Sequence, residues 1–236
     1  MFGPRHEHRL GLILSEVAKV RQGGRVLDAA IGLGQLATRI EARGYRPVGI
    51  DTSLEATLHV CRTSRIPVVL GDLTRLPFRS GVFDAVTSGE TLEHVDDDAA
   101  AAREIGRVIN RGGRAVVTVP ALRILRSWRD DYYEHRRRYS RRELTDLFRG
   151  AGMEVTKAFF WGFPLGLTYD TLFLLPMNKR LARRAVSDDA ALQAVARVGR
   201  SRLLVRLARA LFAVDRLFSF IPFGPGLVMV ARKPEE

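Results

Sequence analysis

Hydrophobic and polar positions change period repeatedly along the chain. Leu10, Ile13, Leu14 and Val17 fall on one helical face, so Arg5 to Val20 reads as a helix that ends at Gly23-Gly24. The run Val26-Leu27 that follows ends in Asp28 and is too short for a helix, which makes it a strand. Small residues then lead through Gly32 and Gly34 into Leu36, Ala37 and Ile40, again at helical spacing, and Gly44 stops that helix. A second short strand over 47–50 closes on Asp51, and Ser53 opens the next helix. The third strand, 66–70, runs into Gly71-Asp72-Leu73, and a fourth spans 82–87. Asp96-Asp97-Asp98 caps a helix through 99–109, which Asn110-Arg-Gly-Gly113 ends. A nearly continuous apolar strand then spans 114–119 and stops at Pro120. Ser140 caps a helix over 143–149, and 152–160 and 226–231 supply two last strands. Strands alternating with helices predict an α/β fold around one sheet.

With 236 residues, 46% of them hydrophobic, the chain can bury one sizeable core, so a single domain over 1–236 is expected. Leu10 to Leu14 is too short for a secretory signal core, and no stretch reaches the length of a clean membrane span. Cys61 is the only cysteine, which excludes an internal disulfide and points to a reducing cytoplasm. The net charge of +12 favours an anionic partner: a phosphorylated substrate, nucleic acid or the inner face of a membrane.

The glycine turn after the first strand is where candidate chemistry concentrates. Glycines let the backbone press against a ligand while the helix start offers unpaired N–H groups, so a nucleotide-like cofactor is expected there. Two cofactor classes use such a turn. Gly32-x-Gly34-x-x-Ala37, with Asp51 beyond the next strand, satisfies a relaxed dinucleotide fingerprint. Asp28 argues the other way, because a carboxylate at the strand tip repels a pyrophosphate and suits a cofactor carrying an amino group and a sulfonium.

Asp28-Ala-Ala30-Ile-Gly32-Leu-Gly34 resembles the first motif of class I S-adenosylmethionine (SAM) methyltransferases, Asp-x-Gly-x-Gly-x-Gly, with Ala30 in place of its first glycine. The resemblance runs over about residues 20–160 and returns near 226–233. It implies a Rossmann-like, seven-stranded, mostly parallel sheet with helices on both faces, the fourth strand lying beside the first. SAM would be held by Asp28, Ala30, Gly32, Gly34, Gln35, Asp51, Thr52, Asp72, Leu73 and Ser88. Within that set Asp51 faces the ribose hydroxyls, Asp72 the adenine amino group and Leu73 the ring. The helix within 1–22 becomes a lid over the cofactor, and the roughly sixty residues of 161–225, between the last two strands, a helical insertion.

Glu90-Thr-Leu-Glu93-His94 follows the fourth strand, and a further histidine lies in His135-Arg-Arg-Arg-Tyr139. The first segment resembles the loop of metal-dependent O-methyltransferases, including small-RNA 2′-O-methyltransferases and some quinone-pathway enzymes. That resemblance implies a divalent ion, Mg2+, on Glu90, Glu93, His94 and His135. Such an ion would lower the pKa of an acceptor hydroxyl. Without metal, His94 or His135 is the candidate general base, with Glu90 beside them in the loop. The alternative is a loop that Glu and His merely shape. The arginines after His135 read equally as a phosphate- or carboxylate-binding edge or as a solvated helix entry.

The insertion carries Phe159-Phe-Trp-Gly-Phe and a leucine stripe over 203–214 flanked by arginines, the pattern of an interfacial helix on anionic lipid or of a packed lid. These features together predict a SAM-dependent O-methyltransferase acting on a glycan, glycolipid, quinone or related amphiphile. Its acceptor is a small or lipid-linked molecule, and the protein is cytoplasmic with peripheral contact at an anionic membrane. An RNA methyltransferase and a NAD-linked dehydrogenase are the competitors. No stacking platform interleaved with lysine supports nucleic acid, and no motif specifies an oligomer.

Overall fold

The apolar runs become seven strands: β1 (Arg25–Ala29), β2 (Arg46–Asp51), β3 (Val68–Leu70), β4 (Phe83–Gly89), β5 (Ile109–Pro120), β6 (Glu154–Trp161) and β7 (Gly226–Arg232). They form one sheet in the order β3-β2-β1-β4-β5-β7-β6. The pairs β1–β2, β1–β4, β2–β3 and β4–β5 are all parallel. The strand order reverses between β1 and β4, so the C-terminal ends of those two strands form the crevice where open α/β sheets take ligands. This computed structural model describes residues 4–169, 171–172, 214–218 and 220–235.

Helices α1 (Pro4–Val17), α2 (Gln35–Glu41), α3 (Leu54–Thr63), α4 (Asp98–Val108), α5 (Trp128–Tyr132), α6 (Arg141–Gly150) and α7 (Leu165–Tyr169) connect or follow the strands. Three of them, α3, α4 and α6, are capped by side chains that the sequence marks as caps. The Ser53 hydroxyl accepts from Ala56 N–H, and Asp97 accepts from Ala100 N–H. Ser140 and Glu143 form a reciprocal capping box worth about 1 kcal/mol. The interior is built from residues that the pattern marks as apolar. Val26, Leu27 and Ala29 of β1, Phe83, Ala85 and Val86 of β4 and Ala115, Val116, Val117 and Val119 of β5 are all buried. Each buried aliphatic side chain contributes roughly 2 kcal/mol of transfer free energy.

Among the boundaries that differ from expectation, those of α1 and β5 have clear local reasons. The first helix stops at Val17 rather than Val20, because Lys19 and Val20 donate to the carbonyls three residues back and tighten the chain into a turn. Asn110 to Gly113 do not separate helix from strand: β5 already pairs at Ile109 with Phe83, and its register then jumps so that Arg114 faces Ala85. The bulge is possible because Gly113 lies against its neighbours; a Cβ there would stand 2.7 Å from Ile109 Cγ2 and 2.8 Å from the Asp84 carbonyl.

The chain divides into two compact units, Leu12–Phe159 with Leu227–Glu236, and Met1–Gly11 with Phe160–Gly226. The first holds nearly the whole sheet. Within it, Glu16 is a buried carboxylate that receives Lys19 at 2.6 Å and Lys157 at 2.9 Å, with Arg114 at 4.0 Å. In the second unit, Arg5 lies over the Trp161 ring and Asp215 accepts the N–H groups of Leu165 and Gly166, both at 2.9 Å. Most of the expected 161–225 insertion, including its leucine–arginine stripe, lies outside the described residues. No helix among the described residues is long and apolar enough to cross a membrane.

Candidate active site

Three acidic residues stand at the C-terminal edge of three adjacent strands. Asp28 is only 3% exposed. Its Oδ1 accepts from the Thr87 hydroxyl of β4 at 3.2 Å, while its buried Oδ2 has no hydrogen-bond partner. Burial pushes this carboxyl up to about 7, the nearby Asp51 charge adding to the rise and the Thr87 hydroxyl and Ala37 backbone opposing it. Asp51 closes β2. Its Oδ2 accepts from Gly32 N–H and its Oδ1 from Ser53 N–H, both at 2.9 Å. Each oxygen keeps a lone pair for a further donor. Asp72 lies just past β3, exposed, with Oδ1 taken by the Thr74 N–H and hydroxyl; Leu73 beside it is buried.

The turn after β1 is made by left-handed residues: Ala30 (φ 66°), Gly32 (φ 51°) and Gly34 (φ 75°). A Cβ built on Gly32 would meet nothing within 4 Å, so the turn leaves an open cradle in front of its backbone. Gln35 opens α2, half-buried, and Thr52 is exposed beyond β2. Ser88 is fully buried and pairs across the ladder with Ala29. Its hydroxyl, like that of Thr118 on β5, has no hydrogen-bond partner. Ile13 of α1 reaches the same edge, its Cδ1 standing 3.5 Å from where a Cβ on Gly89 would lie.

Past the end of β4 the chain turns sharply. Glu90 takes φ 57° and donates its N–H to the Thr118 carbonyl at 2.8 Å. The tight turn Leu92–His94 then aims Glu93 inward, 0% exposed. Donor atoms of Glu93, His94 and His135 all come within 4.8 Å of one another. The two imidazoles meet edge to face at 5.0 Å. Burial and the neighbouring His135 hold His94 below the usual imidazole range, against the opposing pull of a Glu134 backbone bond and the Glu90 and Glu134 charges. Of the four metal-ligand candidates the structure gathers three; Glu90 acts on His94 by charge and stands outside that donor group.

The arginine run has acidic partners forty residues back in the chain. Arg136 pairs with Asp96 and donates to the His94 carbonyl at 2.9 Å. Arg137 pairs with Asp98 at 2.8 Å, and the Tyr139 hydroxyl donates to Asp98 at 2.7 Å and to the Leu92 carbonyl at 3.1 Å. Arg138 forks onto Asp130 at 2.7 and 3.0 Å. Arg136 therefore fastens the Glu-x-x-Glu-His loop directly, and all three arginines are engaged by carboxylates of the chain itself. Asp96 and Asp98 serve the same clamp, and only Asp97 caps the helix. Asp130, Tyr139 and Thr87 escaped the sequence reading: the partners of Tyr139 and Thr87 are forty or more residues away, and Asp130, though only five residues from His135, sits in no recognisable motif.

Residues 27–117 match the family described as Methyltransferase domain. That span runs from β1 to β5 and contains the glycine turn, the three acidic tips and the Glu-x-x-Glu-His loop. Over that span the chain is similar to class I SAM-dependent methyltransferase domains. A demethylmenaquinone methyltransferase of Mycolicibacterium gilvum is 40% identical over 102 residues, 43% of this chain and 44% of that protein. The chain spans less than half the length of the curated relatives that it matches. Among solved structures, the [4+2]-cyclase SpnF aligns with a TM-score of 0.66 at 22% identity, over 96% of this chain and 80% of that one. A phosphoethanolamine N-methyltransferase from Haemonchus contortus, in complex with SAM, aligns at 0.62 and 18% identity, over 96% of this chain and 52% of that one. At those identities the two structures establish the fold alone.

The strand tips and glycine turn suit the cofactor that the matched family implies. An open glycine cradle and buried, unsatisfied oxygens on Asp28 and Ser88 are what a ligand bearing an amino group and hydroxyls would complete. The loop also suits a divalent ion, with a qualification from donor chemistry. Two imidazoles and one carboxylate favour manganese, cobalt or zinc, whereas Mg2+ prefers oxygen ligands throughout.

Proposed function

We propose that this chain transfers a methyl group from SAM to a hydroxyl of an amphiphilic acceptor, a reduced quinone ring being the first candidate. The observation that carries the reading is the juxtaposition of two chemistries at one sheet edge. Asp28, Asp51 and the glycine turn lie at the tips of β1 and β2, and Glu93 and His94 follow on β4, the strand beside β1, where His135, from beyond α5, joins them. The quinone suggestion draws on the curated relatives, whose name gives demethylmenaquinone as the acceptor.

Bound in the turn, SAM supplies an electrophilic methyl on a sulfonium. Asp28 would hold its amino group, Asp51 the ribose hydroxyls, Ala30, Gly32, Gly34, Gln35, Thr52 and Ser88 its backbone-facing side, and Asp72 and Leu73 the adenine. Glu93, His94 and His135 face the acceptor. An ion held by them would lower the pKa of the acceptor hydroxyl. Without one, His94 is the base that takes the proton, its lowered pKa keeping it neutral at pH 7 with Glu90 beside it. Orientation of the two reactants supplies most of the rate. We read the protein as cytoplasmic, with peripheral contact at an anionic membrane, and the part of α1 around Ile13 as a lid on this edge.

Incubation with methyl-labelled SAM and a reduced naphthoquinone, followed by mass spectrometry and NMR of the product, tests the proposal. Label on a ring oxygen supports it. Label on a ring carbon overturns the O-methyl assignment, and transfer undiminished in Glu93→Gln and His94→Ala overturns the loop's role.

A further inference from the structure

Among the described residues, Asp130 stands out as a fully buried carboxylate to which no step above gives a role. It lies in α5 and its acceptor capacity is filled. Oδ1 takes the His135 ring Nδ1 at 2.9 Å and Arg138 Nε at 2.7 Å; Oδ2 takes Ser127 N–H at 2.8 Å and Arg138 Nη2 at 3.0 Å. The backbone N–H of His135 also donates to the Asp130 carbonyl at 2.7 Å. Burial alone would raise this carboxyl, but the Arg138 guanidinium, His135 and Ser127 outweigh it and bring it down to about 2.

We propose that Asp130 is a positioning residue that fixes His135 as the Nδ1–H tautomer, leaving the Nε2 lone pair to face Glu93 and His94. The geometry determines the direction of the bond. An ionised carboxylate is acceptor only, so the nitrogen that touches it must carry the proton, and in a neutral imidazole the other nitrogen is then the base or ligand. That other nitrogen, Nε2, stands 3.9 Å from Glu93 Oε1, inside the donor group. Arg138 holds Asp130 by two parallel bonds, so the carboxylate cannot swing to offer His135 a different edge. Tyr133 stacks on one face of the ring at 6.0 Å and His94 abuts it, which limits its tilt. Asp130 touches no reacting atom and acts through His135 alone.

The inference rests on the reading of the Glu93-His94-His135 loop as the acceptor side of the site, and two measurements separate the two. The first needs no variant. 15N NMR of ring-labelled protein, with the His135 signals assigned by their loss in His135→Asn, is expected to show Nδ1 protonated and Nε2 carrying the lone pair. A protonated Nε2 in the wild-type protein overturns the proposal. The second titrates Co2+ alone, followed by its visible absorption, into wild type and Asp130→Asn, with thermal melts confirming that both are folded.

Asparagine offers N–H groups where four donors converge, so His135 loses its fixed tautomer. Co2+ affinity is then expected to fall about 10–100-fold. Affinity for S-adenosylhomocysteine stays within about twofold, since the strand-tip residues are untouched. Equal Co2+ affinity in the two proteins overturns the proposal. Absence of Co2+ binding to wild type removes the ion from the loop reading, and the tautomer measurement then decides the role of Asp130 by itself.

Discussion

Ionisation of Asp28 should be linked to cofactor binding. With its carboxyl raised to about 7 by burial, Asp28 is about nine-tenths protonated at pH 6 in the empty domain and largely ionised above pH 8. An ammonium group placed against it favours the charged form, so binding at pH 6 should release close to one proton and binding at pH 8.5 almost none. The apparent affinity should weaken about tenfold per pH unit below 7. Calorimetry with S-adenosylhomocysteine at pH 6, in buffers of different ionisation enthalpy, reads the proton count directly. Asp28→Asn should lose both the proton release and the pH slope, and bind at least 10-fold more weakly at pH 8. The substitution should also stabilise the empty domain at pH 8. A carboxyl whose folded pKa lies above its unfolded value of 3.8 contributes its stability below that value and loses it as pH rises toward 7. Denaturant titrations should therefore show the variant more stable by up to a few kcal/mol at pH 8 and the gap closing near pH 4. A flat affinity between pH 6 and 8.5 with no buffer dependence of the heat would refute the reasoning.

Three further outcomes are expected. Ala30→Gly should raise stability by about 0.5–1 kcal/mol in urea melts, because relief of a left-handed alanine outweighs the extra freedom of the unfolded chain; a loss of stability would mean that the methyl group packs usefully. Glu16→Ala should cost about 2 kcal/mol, leaving Lys19, Lys157 and Arg114 without their shared carboxylate. Burial opposes its ionisation, but the two lysines hold its pKa below 4.5. Its stabilising contribution is thus present above pH 4.5 and lost on acidification, so wild type and variant should converge at low pH in denaturant melts. Tyr139→Phe removes the hydroxyl bonded to Asp98 and the Leu92 carbonyl, and should cost about 1–3 kcal/mol. Methyl transfer should slow while S-adenosylhomocysteine affinity holds, which steady-state kinetics and calorimetry separate.

What the sequence made legible follows from which interactions are local. The strand–glycine–helix unit at 25–41 could be read because each of its requirements, an apolar run, residues tolerant of positive φ and a helical stripe, sits within one stretch. Ser53 and Ser140 were legible as caps for the same reason: a cap bonds a backbone group three residues on. The start of β5 at Ile109 was not, because two glycines that usually end a helix here permit a bulge whose cause is the approach of Asp84 from another strand. The arginine run was the largest misreading that periodicity allowed. Its partners lie in separate elements, Asp96 before α4, Asp98 at the start of α4 and Asp130 in α5, and only the fold shows that a basic cluster is half of a clamp. The Glu93-His94-His135 group was legible as a spacing and a resemblance, whereas only the fold shows that Glu90, at the left-handed turn ending β4, stands outside that donor group.

The identity of the ligand at the strand tips underlies all of this, and parallel calorimetric titrations with S-adenosylhomocysteine and with NAD at pH 8 test it most directly. Saturable heat with the adenosyl ligand and none with NAD is the expected result. Tight NAD binding together with a silent S-adenosylhomocysteine titration would contradict the assignment of Asp28 to an amino group and with it the methyl-transfer chemistry.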